Sequence, residues 1–342
     1  MKVTIRTVAQ KAGVSPTTVS RVLNRPELVD ANTRVRVRDA MEELDFRPNA
    51  LARGLSTNQT GTIGLVVPGI TDFYFNEIYA GIEQTTRDLG MKVLVYDTEH
   101  SRHRVLEAFT FLKQHQVDGI IYTSKLVTED YDAVLERLGI PVVLMLTQSM
   151  AKTPLLSFKV DDIQGVFDAV AYLVSRGHRK IGMLSTGMDD EATGLQRFEG
   201  YKAAVRHYNL PFDHRYVVVG GYRFNDGYAA MKQMLQVQSD IQLTAVVTAG
   251  DEMAIGAVRC LHDNGFRVPE DISVVGYDDL GIASMVTPRL TTIRQPFKEI
   301  AARAVNALVD LMKQPNPGAN GVYFHPHQIV ERESVREIVI PR

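Results

Sequence analysis

Between Ser15 and Asn24 the chain gathers hydroxyls, a guanidinium and an amide on Thr17, Thr18, Ser20, Arg21 and Asn24, with no acidic residue among them. Short donors and acceptors beside one guanidinium suit base edges and phosphate oxygens. An ordinary helical hairpin would more often carry Glu/Lys pairs there. A second set of residues is scattered but falls at strand ends. Asp72, Tyr74 and Phe75 come after IGLVVPGI, Tyr222 after YVVVGG, Asp251 after VVTAG and Asp278 after VVGY, while Arg197 sits in TGLQRFEGY. Carboxylates, a guanidinium and flat aromatic faces suit a polyhydroxylated small molecule. Asp251 and Asp279 read as groups that hold turns or cap helices.

Bond-breaking chemistry has no such support. GxSxG and GxxxxGK[ST] are absent, and Gly61-Thr-Ile-Gly64 opens a strand rather than a phosphate loop. His100/His103 and His325/His327 read as surface or loop histidines without metal-ligand spacing, so no metal and no cofactor is expected. His178 in RGHRKI reads as part of a helix-to-strand turn. Cys260 is the only cysteine and lies in the helical stretch AIGAVRCLHDNG, where it reads as a structural thiol.

The polar set near the N-terminus needs helices to present it. Thr4 can cap a helix from about Ile5 to Ala12, which Gly13 ends. Ser15 is a natural N-cap, and Pro16 sits at a first helical position, where its missing N–H costs nothing. A second helix then runs to about Leu23, giving two short helices around a tight turn, a helix-turn-helix. Val8, Ala9 and Ala12 line the first helix, and Val19, Val22 and Leu23 the second. A third is expected from Asp30 to about Leu44, with Val37, Ala40, Met41 and Leu44 as its apolar stripe. Asn49-Ala-Leu-Ala-Arg-Gly-Leu55 reads as two helical turns capped by Asn49, too short to stand alone in water, followed by a polar linker. Charge agrees with a polyanion-binding head: residues 1–60 hold 10 Lys+Arg and 6 Asp+Glu, net +4, against a whole-chain net of −2.

The remaining residues alternate β-branched runs (IGLVV, KVLVY, DGIIY, PVVLML, KIGMLS, YVVVG, LTAVVT, ISVVGY) with amphipathic stretches such as Ile78–Leu89 and Val166–Ser175. That pattern predicts an α/β fold with two parallel, doubly wound sheets, one from each half, meeting near Val160–Ile163. Open sheets of this kind bind ligands beyond the carboxyl ends of their strands. No apolar run approaches the ~20 residues that span a bilayer, and no apolar leader follows the first residues, which predicts a cytoplasmic protein with no membrane partner.

VTIRTVAQKAGVSPTTVSRVLN and MEELDFRPNALARGL resemble the LacI/GalR family of bacterial repressors. The resemblance continues through QVDGII, RGHRKI, RFEGY, GDEMAIGA, VPEDISVVGYDD and PRLTTIRQP, so it spans essentially the whole chain, and its spacing is closest to the catabolite-control branch. It implies a helix-turn-helix headpiece joined to a two-subdomain core like that of periplasmic binding proteins. The implied division is residues 1–48 for the headpiece, 49–60 for a hinge helix and linker, and 61–342 for the effector-binding and dimerisation core. Within the core, an N-subdomain would take about 61–161 and 293–323, and a C-subdomain about 162–292 and 324–342. Pro16, Thr17 and Arg21 fall at base-reading positions, and Thr4, Thr18, Ser20 and Asn24 at phosphate-contacting ones. Asn49, Ala52, Arg53 and Leu55 fall on the hinge, with Leu55 at the position that wedges into the minor groove. Asp72 joins Tyr74, Phe75, Arg197, Tyr222, Asp278 and Gln295 as expected effector contacts. The implied function is a sequence-specific repressor of carbohydrate-utilisation genes. It would bind a near-palindromic operator as a homodimer under control of a small effector, most simply a sugar.

Two departures bear on the effector. Many sugar-binding members carry Asn where this chain has Gly250, and with no Trp any stacking platform must be Tyr or Phe. In the catabolite-control branch a serine-phosphorylated carrier protein is corepressor; here Thr287 and Gln328 stand at positions basic in that branch, which favours a small molecule over that partner. A purely ligand-binding module of the periplasmic type is countered by the helix-turn-helix, and an enzyme on the same fold has no motif behind it.

Overall fold

A computed structural model of the chain describes residues 3–46, 59–187, 192–314 and 319–338. The chain divides into two compact units, Met1–Thr60 and Gly61–Arg342.

In the first unit Thr4 caps helix α1 (Ile5–Ala12), its hydroxyl accepting from the Thr7 amide. Gly13 turns the chain at φ +65°, a left-handed conformation that favours glycine. The Ser15 hydroxyl then accepts from the Thr18 amide at 3.1 Å, starting α2 (Pro16–Asn24) with proline in its first turn. Asp30 caps α3 (Ala31–Glu43), accepting from the Thr33 amide at 2.9 Å. Val8, Ala9, Ala12, Val19, Val22, Val37 and Ala40 form the buried core, with Leu23, Met41 and Leu44 packed at its rim. Small alanines on the facing surfaces let the helices approach closely.

The second unit begins with β1 (Thr62–Val67), α4 (Phe73–Asp88), β2 (Lys92–Asp97), α5 (Arg102–Gln114), β3 (Gly119–Tyr122), α6 (Asp132–Leu138), β4 (Val142–Met145) and β5 (Leu156–Val160). A second lobe follows: α7 (Asp162–Ser175), β6 (Ile181–Ser185), α8 (Gly194–His207), β7 (Val217–Val219), α9 (Phe224–Leu235), the short α10 (Gln238–Ile241), β8 (Ala245–Thr248), α11 (Asp251–Asp263), β9 (Ser273–Asp278) and β10 (Thr291–Arg294). The chain then returns to the first lobe with α12 (Phe297–Lys313) and β11 (Gly321–His325), and ends in the second with β12 (Gln328–Val330).

Among the described residues each lobe is built on a six-stranded sheet, in the orders β11-β5-β4-β3-β1-β2 and β12-β10-β9-β8-β6-β7. Among the described residues β12 against β10 is the one antiparallel pairing; every other pair is parallel, as the apolar strand runs require. The chain crosses between lobes at Asp161, at Gln295–Pro296 and at Pro326–His327, so Ile293 belongs to the second sheet and Phe324 to the first. Four strands, β5, β10, β11 and β12, fall outside the apolar runs of the sequence. β5 carries a lysine, the threonines of β10 are buried, and Val322, Tyr323 and Phe324 of β11 are exposed on a sheet edge. Helices α9 and α11 touch backbone to backbone: a Cβ on Gly227 would lie 2.0 Å from the Met253 carbonyl oxygen.

Candidate functional site

In both sheets the strand order reverses beside the first strand of the lobe, between β1 and β3 and between β6 and β8. A crevice opens at such a switch point beyond the carboxyl ends of the strands. Here the two crevices face each other and form one cavity of about 390 Å³. Its walls are strand-end residues: Pro68 and Asp72 after β1, His100 after β2, Thr123–Lys125 after β3, Thr186 and Gly187 after β6, Tyr222 after β7, Gly250 after β8, Asp278 at the end of β9 and Gln295 after β10.

The floor is a buried charge network. Arg197, in the first turn of α8 and 4% exposed, donates from Nε to Asp162 Oδ1 at 2.8 Å and from Nη1 to the Ala249 carbonyl. Its Cζ lies 3.8 Å from the centre of the Tyr277 ring, a cation–π contact, and its Nη2 is 3.8 Å from Asp278 Oδ1. Burial works against the Arg197 charge, but the carboxylates of Asp162 and Asp278 more than offset it. Asp162 Oδ2 in turn meets Lys159 Nζ at 3.0 Å.

Asp278 is strained and desolvated. Its φ is +116° and that of Asp279 +58°, both in the left-handed half of the map. The surroundings fix this turn. Asp251, buried beneath it, accepts from the Leu280 amide at 2.7 Å and the Thr292 hydroxyl at 2.5 Å, while Asp279 binds Arg294 at 2.6 Å and Arg332 at 2.5 Å. Gln295 Nε2 donates to Asp278 Oδ1 at 2.7 Å. Burial nevertheless pushes the Asp278 carboxyl up to about 6, against the pull of Arg197 and Gln295. Burial and the neighbouring Asp278 also hold the Asp251 carboxyl well above the usual range.

At the mouth, Asp72 of the first lobe meets Arg223 of the second, with Nη2 to Oδ1 at 3.3 Å, and its other oxygen lies 3.1 Å from His100 Nε2. The Tyr222 hydroxyl is 2.7 Å from that of Thr193. Gly250 leaves open wall: a Cβ there would come no closer than 3.6 Å to Asp278 Oδ2 and 3.8 Å to Tyr222 Cδ1.

Of the expected effector residues, Asp72, Tyr74, Arg197, Tyr222, Asp278 and Gln295 line this cavity. Phe75 does not. It stacks on Tyr79 with ring centres 5.5 Å apart, and Phe73 faces the cavity instead. Helix α4 starts at Phe73, several residues before the amphipathic stretch of the sequence, and so turns Phe75 aside. Lys159 and Asp162 were not among the expected residues. A lysine within a short strand next to Asp-Asp reads as solvated surface, and only the tertiary fold shows both to be buried. His100 borders the cleft, and His327 is pinned to Asp168 at 2.9 Å rather than lying free on the surface. His178 lies in the turn after α7, fully buried between Thr244 and the Arg336 carbonyl; burial, against the pull of that carbonyl, lowers its pKa to about 4. Cys260 is buried.

In the headpiece, Pro16, Thr17 and Arg21 are exposed along α2, while Thr18 and Ser20 are half-buried beside them. Thr4 stands exposed at the start of α1 and Asn24 ends α2. Asn49, Ala52, Arg53 and Leu55 lie outside the described residues.

Residues 4–49 match the bacterial regulatory proteins of the lacI family, and residues 170–335 match the periplasmic binding protein-like domain. Catabolite control protein A of Priestia megaterium is 34% identical over 337 residues, covering 98% of this chain and all of that protein. The chain belongs to the lacI family of bacterial regulatory proteins. Another relative, the ribose operon repressor of Escherichia coli (strain K12), is 33% identical across 91% of this chain and 94% of its own length. A crystal structure of the lac repressor dimer bound to operator and an anti-inducer superposes with a TM-score of 0.87 at 29% identity, covering 98% of this chain and the whole of that one. As a lacI-family protein the chain is a DNA-binding transcriptional regulator, and its helix-turn-helix is the DNA-binding module. No described helix is long and apolar enough to cross a membrane.

Proposed function

We propose that the chain represses carbohydrate-utilisation genes from the cytoplasm. A homodimer would bind a near-palindromic operator, and a small polyhydroxylated effector in the interlobe cleft would alter its affinity. The observation that carries this reading is the convergence of both switch points on one cavity that holds Arg197, Asp278 and Gln295, in a chain that also carries an exposed Thr17/Arg21 helix face. Arg21 is assigned to a guanine edge. Pro16 and Thr17 share the base-reading surface, while Thr4, Thr18, Ser20 and Asn24 serve phosphates. Asn49, Ala52, Arg53 and Leu55 serve the hinge, with Leu55 as the minor-groove wedge. The headpiece, hinge and core divide at about residues 48 and 60. The effector leaves chemically unchanged, because the cleft is a sensor and not a catalytic site.

The test is thermal unfolding of the full chain against a panel of sugars. A ligand at ~100 times its Kd adds ~2.7 kcal/mol. Any hit is then added to an operator titration and recovered for analysis. The expected result is a selective shift in melting temperature, a change in operator affinity and intact ligand. Turnover of the ligand, or a hit without effect on operator binding, would refute the proposal.

A further inference from the structure

The cleft floor contains two cations and two carboxylates that already satisfy one another. Lys159 and Asp162 are 1% and 2% exposed. The lysine reaches out of the first lobe's β5 to three acceptors: Asp162 Oδ2 at 3.0 Å, Gln196 Oε1 at 2.8 Å and the Ala192 carbonyl at 3.2 Å. An ammonium has three donors, so none is left for a ligand. The remaining oxygen of Asp162 takes Arg197 Nε, Ala249 takes one Arg197 Nη, and Asp278 faces the other from 3.8 Å. Arg197, which keeps donor capacity for a ligand, is therefore neutralised from two sides before any ligand arrives.

That arrangement discriminates by charge. A phosphate ester drawn to Arg197 would be brought up against Asp278 and Asp162, and Asp162 cannot swing away, because its second oxygen is fixed by Lys159. An uncharged polyol meets no such penalty. Asp278 accepts its hydroxyl protons, and the remaining Arg197 N–H donates to a hydroxyl oxygen. The buried Thr186 hydroxyl on the cavity wall, which has no partner among the described residues, can do either. We propose that Lys159 and Asp162 act as a charge filter, keeping Arg197 neutralised so that the cleft admits neutral polyols and rejects their phosphate esters. The proposal rests on reading the cleft as the effector site.

The test uses the full chain and matched probe pairs: ribose with ribose 5-phosphate, glucose with glucose 6-phosphate, fructose with fructose 6-phosphate, and inorganic phosphate alone. Binding is read by thermal shift and titration calorimetry. For whichever pair binds, the wild-type chain is expected to prefer the neutral member by at least ~100-fold. Asp162→Asn leaves Lys159 and Arg197 facing Asp278 alone, and should gain at least ~10-fold for the phosphorylated member and begin to bind inorganic phosphate. Lys159→Met combined with Asp162→Asn restores charge balance and should abolish that gain, which a role confined to holding the lobes together would not do. Equal wild-type affinity for both members, or an unchanged ratio in Asp162→Asn, overturns the filter. If Asp162→Asn does not fold, the wild-type ratio decides alone. No shift with any probe overturns the sugar reading of the cleft and the filter with it, an outcome distinct from binding without charge preference.

Discussion

Asp278 is held where an aspartate is least stable, with a positive φ and a carboxyl lifted from 3.8 to about 6 by burial. A carboxyl whose folded pKa lies above its unfolded one favours the folded state below the unfolded value and loses that advantage as pH rises through the folded value. At pH 8 the ionised group therefore costs the apo core roughly 3 kcal/mol relative to acid conditions. Asp278→Asn should melt higher than wild type at pH 8, with the difference shrinking to nothing near pH 4, while effector binding is lost at every pH. A lower melting temperature at pH 8 would mean that the Arg197 contact outweighs the desolvation. Gly250 gives the opposite case. Its backbone, at φ −175° and ψ 160°, is extended and open to any residue, and a Cβ would meet only ordinary van der Waals neighbours. Gly250→Asn should leave unfolding within ~0.5 kcal/mol of wild type yet change which effectors bind, because the new amide projects beside Asp278 and Tyr222. A large loss of stability would show that the wall is less open than its geometry indicates. The sequence made Arg197, Asp278 and Gln295 legible through motif and strand-end position. It concealed Lys159 and Asp162, because burial of a charged pair depends on acceptors such as Gln196, 37 residues along the chain from the lysine.

At the scale of elements, the headpiece could be read almost whole because its signals are local. Thr4, Ser15 and Asp30 each cap a helix, Gly13 supplies the left-handed turn, and the apolar residues recur at helical spacing. The core strands with continuous β-branched runs were legible for the same reason. β5, β10, β11 and β12 were not, because their identity comes from pairing: Thr292 of β10 is buried between β9 and β12 with its hydroxyl donated to Asp251, and β11 is a strand only through its register with β5. This local encoding of α2 separates stability from recognition. Arg21 is exposed, on the face away from Val19 and Val22. Arg21→Ala should therefore leave headpiece melting unchanged and cost ~1–3 kcal/mol on the operator, with relaxed specificity at one position. Equal loss on operator and random DNA, measured at matched salt, would reassign Arg21 to a phosphate.

At the scale of the whole molecule, the chain crosses between the lobes at Asp161, at Gln295–Pro296 and at Pro326–His327, and side chains join the lobes again at the cleft mouth. The ion pair of Asp72 with Arg223 spans that mouth from lobe to lobe. Arg223 is 58% exposed, so solvent and salt screen the pair, and exposed pairs of this kind contribute at most ~1 kcal/mol. A contact of that strength can break at little cost to admit a ligand. Arg223→Ala should weaken effector binding by about fivefold or less, mainly through faster dissociation, since the mouth no longer closes behind the ligand. High salt should produce the same change in wild type and little further change in the variant. Because coupling between two ligands is reciprocal, the factor by which operator binding shifts effector affinity must equal the factor by which effector shifts operator affinity, in wild type and variant alike. Stopped-flow dissociation at two salt concentrations, paired with operator titrations, measures all of these. If the variant releases effector at the wild-type rate and keeps the wild-type salt dependence, the mouth is not held by Asp72 and Arg223. Closure would then have to be sought in the residues that meet across the cavity itself.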